Sequence, residues 1–248
     1  IQWYPGHMAK AKRILKDDLK LVDIVIEVVD ARVPLSSQNP DLRELIDDQS
    51  KVTVLNKKDL ANPELNKKWS EYFDSQDNEE AVLINSINGD GVSELKSILN
   101  NRYDKVASKL SKKGRNPRRL RAMIIGIPNV GKSALINLLA GTSVTTIGDK
   151  PGVTRGRQWA NVNKKISLLD TPGILWPKFS DEDTAYKLAL TGAVDSDNFD
   201  FELAAYKLIK FIVNIDETIL LDAYNLDYLE SHPYDILADI ARKRGCLM

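Results

Sequence analysis

The segment Gly126-Ile127-Pro128-Asn129-Val130-Gly131-Lys132-Ser133 matches the pattern G-x-x-x-x-G-K-[ST] at every position. In such a loop the glycines let backbone N–H groups wrap a β-phosphate, and the N-terminus of the following helix adds a favourable dipole. The lysine, here Lys132, reaches the β- and γ-phosphates, and the hydroxyl of Ser133 is a ligand for Mg²⁺. The candidate phosphate contacts are therefore Asn129, Val130, Gly131, Lys132, Ser133 and Ala134. An ordinary glycine turn before a helix is the competing reading. It is disfavoured because both required flanks are present: the apolar run Ala122 to Ile125 reads as a strand and Ser133 to Leu139 as a helix.

Four further clusters are suited to the same ligand. Asn56-Lys57-Lys58-Asp59 follows the apolar run Val52 to Leu55, where a loop leaves the carboxyl edge of a sheet. A carboxylate at Asp59 accepts hydrogen bonds from N1–H and the 2-amino group of guanine. Adenine offers neither donor and would leave the carboxylate unpaired, at a cost of several kcal/mol. Asp170-Thr171-Pro172-Gly173 ends the run Ile166 to Leu169, so that Asp170 can reach Mg²⁺ through a water and the Gly173 amide can meet a γ-phosphate. Thr154, within Asp149-Lys-Pro-Gly-Val-Thr154-Arg, offers a second hydroxyl to Mg²⁺ and is preferred to Thr145 or Thr146 by its Pro-Gly-Val-Thr context. Asn85-Ser86 follows the run Ala81 to Ile84, where a backbone amide could meet guanine O6.

The elements that must position these residues are legible as alternating strands and helices. Ile24 to Val29, Val52 to Leu55 and Ala81 to Ile84 are apolar, β-branched runs bounded by polar residues, the pattern of strands buried on both faces. Helical spacing over Asp41 to Asp48, Pro63 to Phe73 and from Ser93 to Leu99 separates them, and Trp159 to Val162 with Ile166 to Leu169 reads as a hairpin. This predicts an α/β fold, a doubly wound, mostly parallel sheet of the P-loop type. Beyond Pro177 the periodicity is helical and the composition acidic, giving expected domains at 1–177 and 178–248.

The five elements resemble the guanine-nucleotide motifs of TRAFAC-class GTPases, but the two base-binding motifs precede the phosphate loop. That order resembles the circularly permuted GTPases of the YlqF/YawG group, as do Trp3-Tyr4-Pro5-Gly6-His7-Met8, Asp30-Ala-Arg32-Val-Pro34 and Asp170-Thr-Pro-Gly-Ile-Leu-Trp176-Pro177. The resemblance implies a GTP-hydrolysing factor for late assembly of the large ribosomal subunit, with GTP or GDP and Mg²⁺ bound and ribosomal RNA as partner. It further implies that His7 positions the attacking water, because the residue after Asp-x-x-Gly is Ile174 where Ras-like enzymes carry glutamine. A histidine packed in a Pro-Gly turn remains the plainer reading of His7. Asn129 resembles the asparagine with which some related GTPases hold K⁺ beside the phosphates. The alternative function is a nucleotide-dependent binding switch with incidental turnover.

Composition is consistent with both readings. Lys plus Arg number 35 and Asp plus Glu 35, so net charge gives no reason to expect a nucleic-acid partner. The local distribution is uneven: Arg102 to Arg121 carries Arg102, Lys105, Lys109, Lys112, Lys113, Arg115, Arg118, Arg119 and Arg121 against the single acid Asp104, and reads as a basic linker. RNA contact and a solvated tether both fit such a run. The lone cysteine, Cys246, excludes an internal disulfide and a cysteine metal site, and fits a reducing compartment such as the cytoplasm. No apolar stretch approaches the roughly 18 residues of a membrane span, a monomer is expected, and both ends read as trimmed.

Overall fold

The computed structural model describes residues 13–46, 49–141, 158–171, 182–194 and 199–246, the side chains of Gln158 and Asp170 excepted. Six strands form one sheet: β1 Ile24–Asp30, β2 Lys51–Asn56, β3 Glu79–Ile84, β4 Leu120–Ile125, β5 Gln158–Asn161 and β6 Ile166–Asp170. Their order across the sheet is β3-β2-β1-β4-β6-β5, all parallel except β5, which returns antiparallel on β6 as the expected hairpin. Every residue of β1 and β2 is buried. This is why those strands read as near-continuous β-branched runs, Glu27 aside, rather than alternating ones.

Helix α1 covers 13–19, followed by α2 Pro40–Ile46, α3 Pro63–Asp74, α4 Val92–Lys112 and α5 Lys132–Ala140. α3 starts where Pro63 occupies the first turn and the Asn62 side chain accepts from the amides of Glu64 (2.9 Å) and Leu65 (3.2 Å). Its Phe73 packs in a core with Val29, Leu55 and Ala81. α4 begins at Gly91, whose φ of 87° and close approach to β3 exclude a side chain: a Cβ there would lie 2.0 Å from the Leu83 carbonyl oxygen. α4 continues through Lys112, so the first half of the basic stretch is helix, and the irregular linker is confined to residues 113–119. The helix persists because nothing from Val92 to Lys112 breaks it; Gly114 (φ 70°) and Pro117 follow.

A charged cluster is buried in the sheet. Arg43 of α2 lies 3.2 Å from Glu27 and 2.9 Å from Glu79, and Lys51 lies 3.8 Å from Glu79. Gln38 donates to Glu27 at 3.2 Å, and the Thr53 hydroxyl donates to Glu79. Burial, opposed by Arg43, pushes the Glu27 carboxyl up to about 7.

The described residues divide into two compact units, one within 13–171 and one within 182–246. The second unit contains α6 Glu182–Leu190, α7 Phe201–Ile215, α8 Thr218–Tyr224 and α9 Pro233–Lys243. Asp200 caps α7 by accepting from the amides of Glu202 and Leu203, and Ile209, Leu220 and Ile236 form the centre of the unit. Among the described residues, no helix is long and apolar enough to cross a membrane.

Candidate nucleotide-binding site

The sheet register brings the motif loops to one edge. Asp30 at the end of β1 aligns with Asn56 at the end of β2, and Asn56 with Ile84 at the end of β3. On the other side Glu27 aligns with Ile125 of β4, and Ile124 with Asp170 of β6. The segments following Asp30, Asn56, Ile84, Ile125 and Asp170 therefore leave the carboxyl edge of a parallel sheet, where open α/β folds bind ligands.

The phosphate loop has a backbone that few residues tolerate. Gly126 has φ 150°, and a Cβ on it would meet the Val28 carbonyl oxygen at 2.4 Å. Asn129 takes the left-handed region at φ 60°, which asparagine accepts more readily than most residues. Gly131 has φ 98°, and a Cβ there would sit 2.3 Å from Asn56 Nδ2. Helix α5 starts directly after Gly131 with no side-chain cap, the setting in which a helix N-terminus receives an anion. Lys132 Nζ is buried and donates to the Ile127 carbonyl at 2.7 Å, across the mouth of its own loop. Ser133 is half-buried in the first turn.

The segment after β2 is tied to this loop by two neighbouring side chains. Asn56 is buried; its Nδ2 donates to the Val130 carbonyl (2.7 Å) and to Ser86 Oγ (3.0 Å), while its Oδ1 accepts from the Ser86 amide (3.0 Å). One amide thus joins the segment after β2, the segment after β3 and the phosphate loop. Lys57 has a left-handed backbone (φ 62°), and its Nζ donates to the Asn129 carbonyl at 2.8 Å and pairs with Asp30 at 3.0 Å. Asp30 is in turn held by the Arg32 guanidinium, Nε at 2.9 Å and Nη2 at 2.7 Å. Burial raises the Asp30 carboxyl, but the Arg32 hydrogen bonds and the Lys57 charge outweigh it and hold the group below its ordinary range.

Lys58 pairs with Asp90 at 2.8 Å, which joins the segments after β2 and β3 a second time. Asp59 lies exposed in the 3-10 turn Lys58–Leu60; the Arg32 pKa is raised chiefly by its hydrogen bond to Asp30, against desolvation, with the Asp59 charge a smaller addition. Asn85 and Ser86 are both buried; Asn85 Oδ1 accepts from the amides of Ile87 (2.9 Å) and Asn88 (3.3 Å), which shapes the turn after β3. The Thr171 hydroxyl donates to the Ile124 carbonyl at 2.6 Å, fixing the start of the Asp170-Thr-Pro-Gly segment against β4. His7, Thr154, Gly173 and the side chain of Asp170 lie outside the described residues.

The structure thus brings together Asn56, Lys57, Lys58, Asp59, Asn85, Ser86 and the whole of Gly126 to Ser133. Sequence reasoning missed the positioning role of Asp30 and Arg32. The available signal was a carboxylate closing a strand whose other residues, Glu27 aside, are apolar: such a group needs a cationic partner.

A family model described as 50S ribosome-binding GTPase matches residues 121–237. That match begins in β4, just before the phosphate loop, and leaves the Asn56 to Asp59 segment upstream, as the permuted order requires. Ribosome biogenesis GTPase A of Bacillus pumilus is 43% identical over 252 residues, covering 100% of this chain and 88% of that protein. The protein of the same name from Thermotoga maritima is 34% identical, covering 100% and 82%. GDP-bound YlqF superimposes with a TM-score of 0.65 at 29% identity, over 95% of this chain and 86% of that one. GNP-bound YlqF from T. maritima gives a TM-score of 0.60 at 29% identity, over 96% and 85%. With the phosphate and base loops converging on one sheet edge in permuted order, the chain belongs to the ribosome biogenesis GTPase A family of GTP-hydrolysing proteins.

Proposed function

We propose that this GTPase acts in late assembly of the large ribosomal subunit and that the ribosomal particle, with its RNA, activates its hydrolysis. The observation that carries the reading is the tie from Asn56 and Lys57 to the carbonyls of Val130 and Asn129, at 2.7 and 2.8 Å. It aligns Asp59 and Lys132 along one edge, as a guanine nucleoside triphosphate would need. In this reading Asp59 selects guanine, the amides of the turn at Asn85 and Ser86 meet O6, and the amides of Asn129 to Ala134 cradle the phosphates. Lys132 exchanges the Ile127 carbonyl for the β- and γ-phosphates.

The buried, glycine-lined cradle and the Ser133 hydroxyl beside it suit a Mg²⁺-nucleotide. Ser133 and Thr154 would hold the ion, with Asp170 acting through a water; Mg²⁺ supplies neutralisation of the charge that develops on the phosphates. Asn129 would add a K⁺ ligand. The Gly173 amide senses the γ-phosphate and His7 positions the attacking water. Ile174 stands where a glutamine would serve, so unassisted turnover is slow. The protein works as a cytoplasmic monomer, and nucleotide state, sensed at Gly173, sets the mobility of the region after Pro177.

The test is GTP hydrolysis in K⁺ buffer with and without purified large ribosomal subunits. A stimulation of tenfold or more, about 1.4 kcal/mol off the barrier, is expected. An unchanged rate refutes activation by the particle and leaves a nucleotide-dependent binding switch.

A further inference from the structure

At the end of the sheet away from the phosphate loop, β4, β6 and β5 present a face unlike the rest. Arg121 is the one exposed residue of β4. It aligns with Ser167 of β6, which aligns with Asn161 of β5, so these three side chains lie in a row across the sheet. Two residues along β5, and so on the same face, is Trp159, 44% exposed on an edge strand. Arg118, Arg119, Arg121, Trp159, Asn161 and Ser167 line an open cleft of about 460 Å³.

The cleft is built rather than incidental. The Arg121 guanidinium lies over the Trp159 ring, 5.9 Å from its centroid. Asn161 Oδ1 accepts from Arg119 (2.9 Å) and from the Ser167 hydroxyl (2.9 Å), which fixes the floor. Asp23 binds the Arg118 guanidinium through two bonds of 2.7 Å and also accepts from the Arg121 amide at 2.9 Å. Arg118 is thereby neutralised and serves as wall, while Arg119 and Arg121 pair with no carboxylate among the described residues. Lys112, Lys113 and Arg115, all exposed, lead into the cleft along the chain, and exposed Lys164 stands in the β5–β6 turn.

A half-exposed tryptophan rimmed by uncompensated arginines is the chemistry that stacks a nucleobase and neutralises its phosphates. We propose that this cleft binds an unpaired stretch of RNA, with a base on Trp159 and backbone phosphates on Arg119 and Arg121. The proposal rests on the ribosomal reading above and adds to it a contact surface. Arg121 and Gly126 are five residues apart along β4, about 16 Å at the usual strand rise. The cleft is therefore distinct from the nucleotide site, and its variants leave GDP binding intact.

The test is fluorescence anisotropy of a labelled single-stranded RNA decamer of mixed sequence, titrated over a salt series. Arg119→Gln with Arg121→Gln should raise Kd at least tenfold and reduce the salt slope by about 1.4, two phosphate contacts on a single strand. Trp159→Ala should raise Kd about 5- to 100-fold, and Trp159→Phe should restore most of it. Affinity for fluorescent GDP reports folding and should match wild type throughout. Equal Kd and salt slope in the arginine pair, no decamer binding by wild type, or displacement by polyglutamate as effective as by RNA would each overturn the proposal, the last in favour of an acidic polypeptide. The two readings fail separately. Wild-type protein whose hydrolysis ignores large subunits refutes the ribosomal reading; stimulation shared by wild type and arginine variant, with equal decamer affinity, refutes the cleft.

Discussion

Replacing Asn56 with alanine removes three hydrogen bonds at once: 2.7 Å to the Val130 carbonyl, 3.0 Å to Ser86 Oγ and 3.0 Å from the Ser86 amide. At about 1 kcal/mol net for each bond, and with two backbone groups left unpaired, Asn56→Ala should cost about 3 kcal/mol of unfolding free energy. Urea denaturation without nucleotide measures that directly, with an unchanged m-value showing that the same surface is exposed. The second consequence is on the ligand. With the phosphate loop no longer tied to the base-binding segment, GDP affinity should fall at least tenfold. At a GDP concentration 100 times the wild-type Kd, nucleotide stabilises wild type by about 2.7 kcal/mol; a tenfold weaker site gains only about 1.4. Repeating the denaturation with GDP separates the two effects. Asn56→Asp keeps an acceptor for the Ser86 amide but turns a carboxylate toward the Val130 carbonyl, so it should be at least as damaging as alanine. A loss below about 0.5 kcal/mol with full GDP stabilisation would refute the argument that this side chain holds the loops together.

Other expected outcomes test neighbouring links. Lys57→Met removes the contacts to Asn129 and Asp30 while Arg32 still neutralises the carboxylate; calorimetric titration should show GDP binding weakened about tenfold, and urea denaturation a loss of about 1 kcal/mol, because solvent at this part-exposed lysine weakens its charge-assisted bonds. Asp59→Asn should exchange guanine for xanthine selectivity, with GTP competing at least about a hundredfold less well against labelled nucleotide, because the acceptor for N1–H and the 2-amino group is lost. Glu27 has a folded pKa of about 7 against an ordinary 4.5, so its neutral form contributes stability fully below pH 4.5 and loses it as pH rises through 7. Its share is on the order of 3 kcal/mol, and urea titrations across pH 5 to 8 should show a fall that Glu27→Gln flattens; an unchanged slope in the variant would remove Glu27 as the cause.

The phosphate loop was legible because its backbone excludes side chains at Gly126 and Gly131, and a sequence must declare such positions openly. The strands were legible because burial on both faces leaves β-branched runs, and they extend beyond those runs only where pairing recruits polar ends such as Lys51, Asn56 and Glu79. Burial in an α/β sheet marks the chain, whereas pairing partners leave little trace in it. The length of α4 was hidden for a different reason: Tyr103, Val106, Ala107 and Leu110 recur at helical spacing and are half-buried, but the lysines among them make the stretch read as a charged linker. The exposed side of β5 was equally silent, since Trp159 reads in sequence as one more strand aromatic.

The contacts of Asn56 and Lys57 explain how the permuted order retains one site. Both reach a phosphate loop more than seventy residues further along the chain, and nothing local can align the partners. Alignment comes first from β1 pairing in parallel with β4, which sets the two chain segments side by side from Ile24 and Ala122 to Glu27 and Ile125. The side-chain ties then remove the remaining freedom at the edge. Because the motif loops among the described residues leave the same edge, the position of the chain break matters only to the connections, here α4 and residues 113–119. The connections are free to vary in composition as the strands and motif loops are not. It is in this connection, and on the strand that follows it, that the basic surface has accumulated.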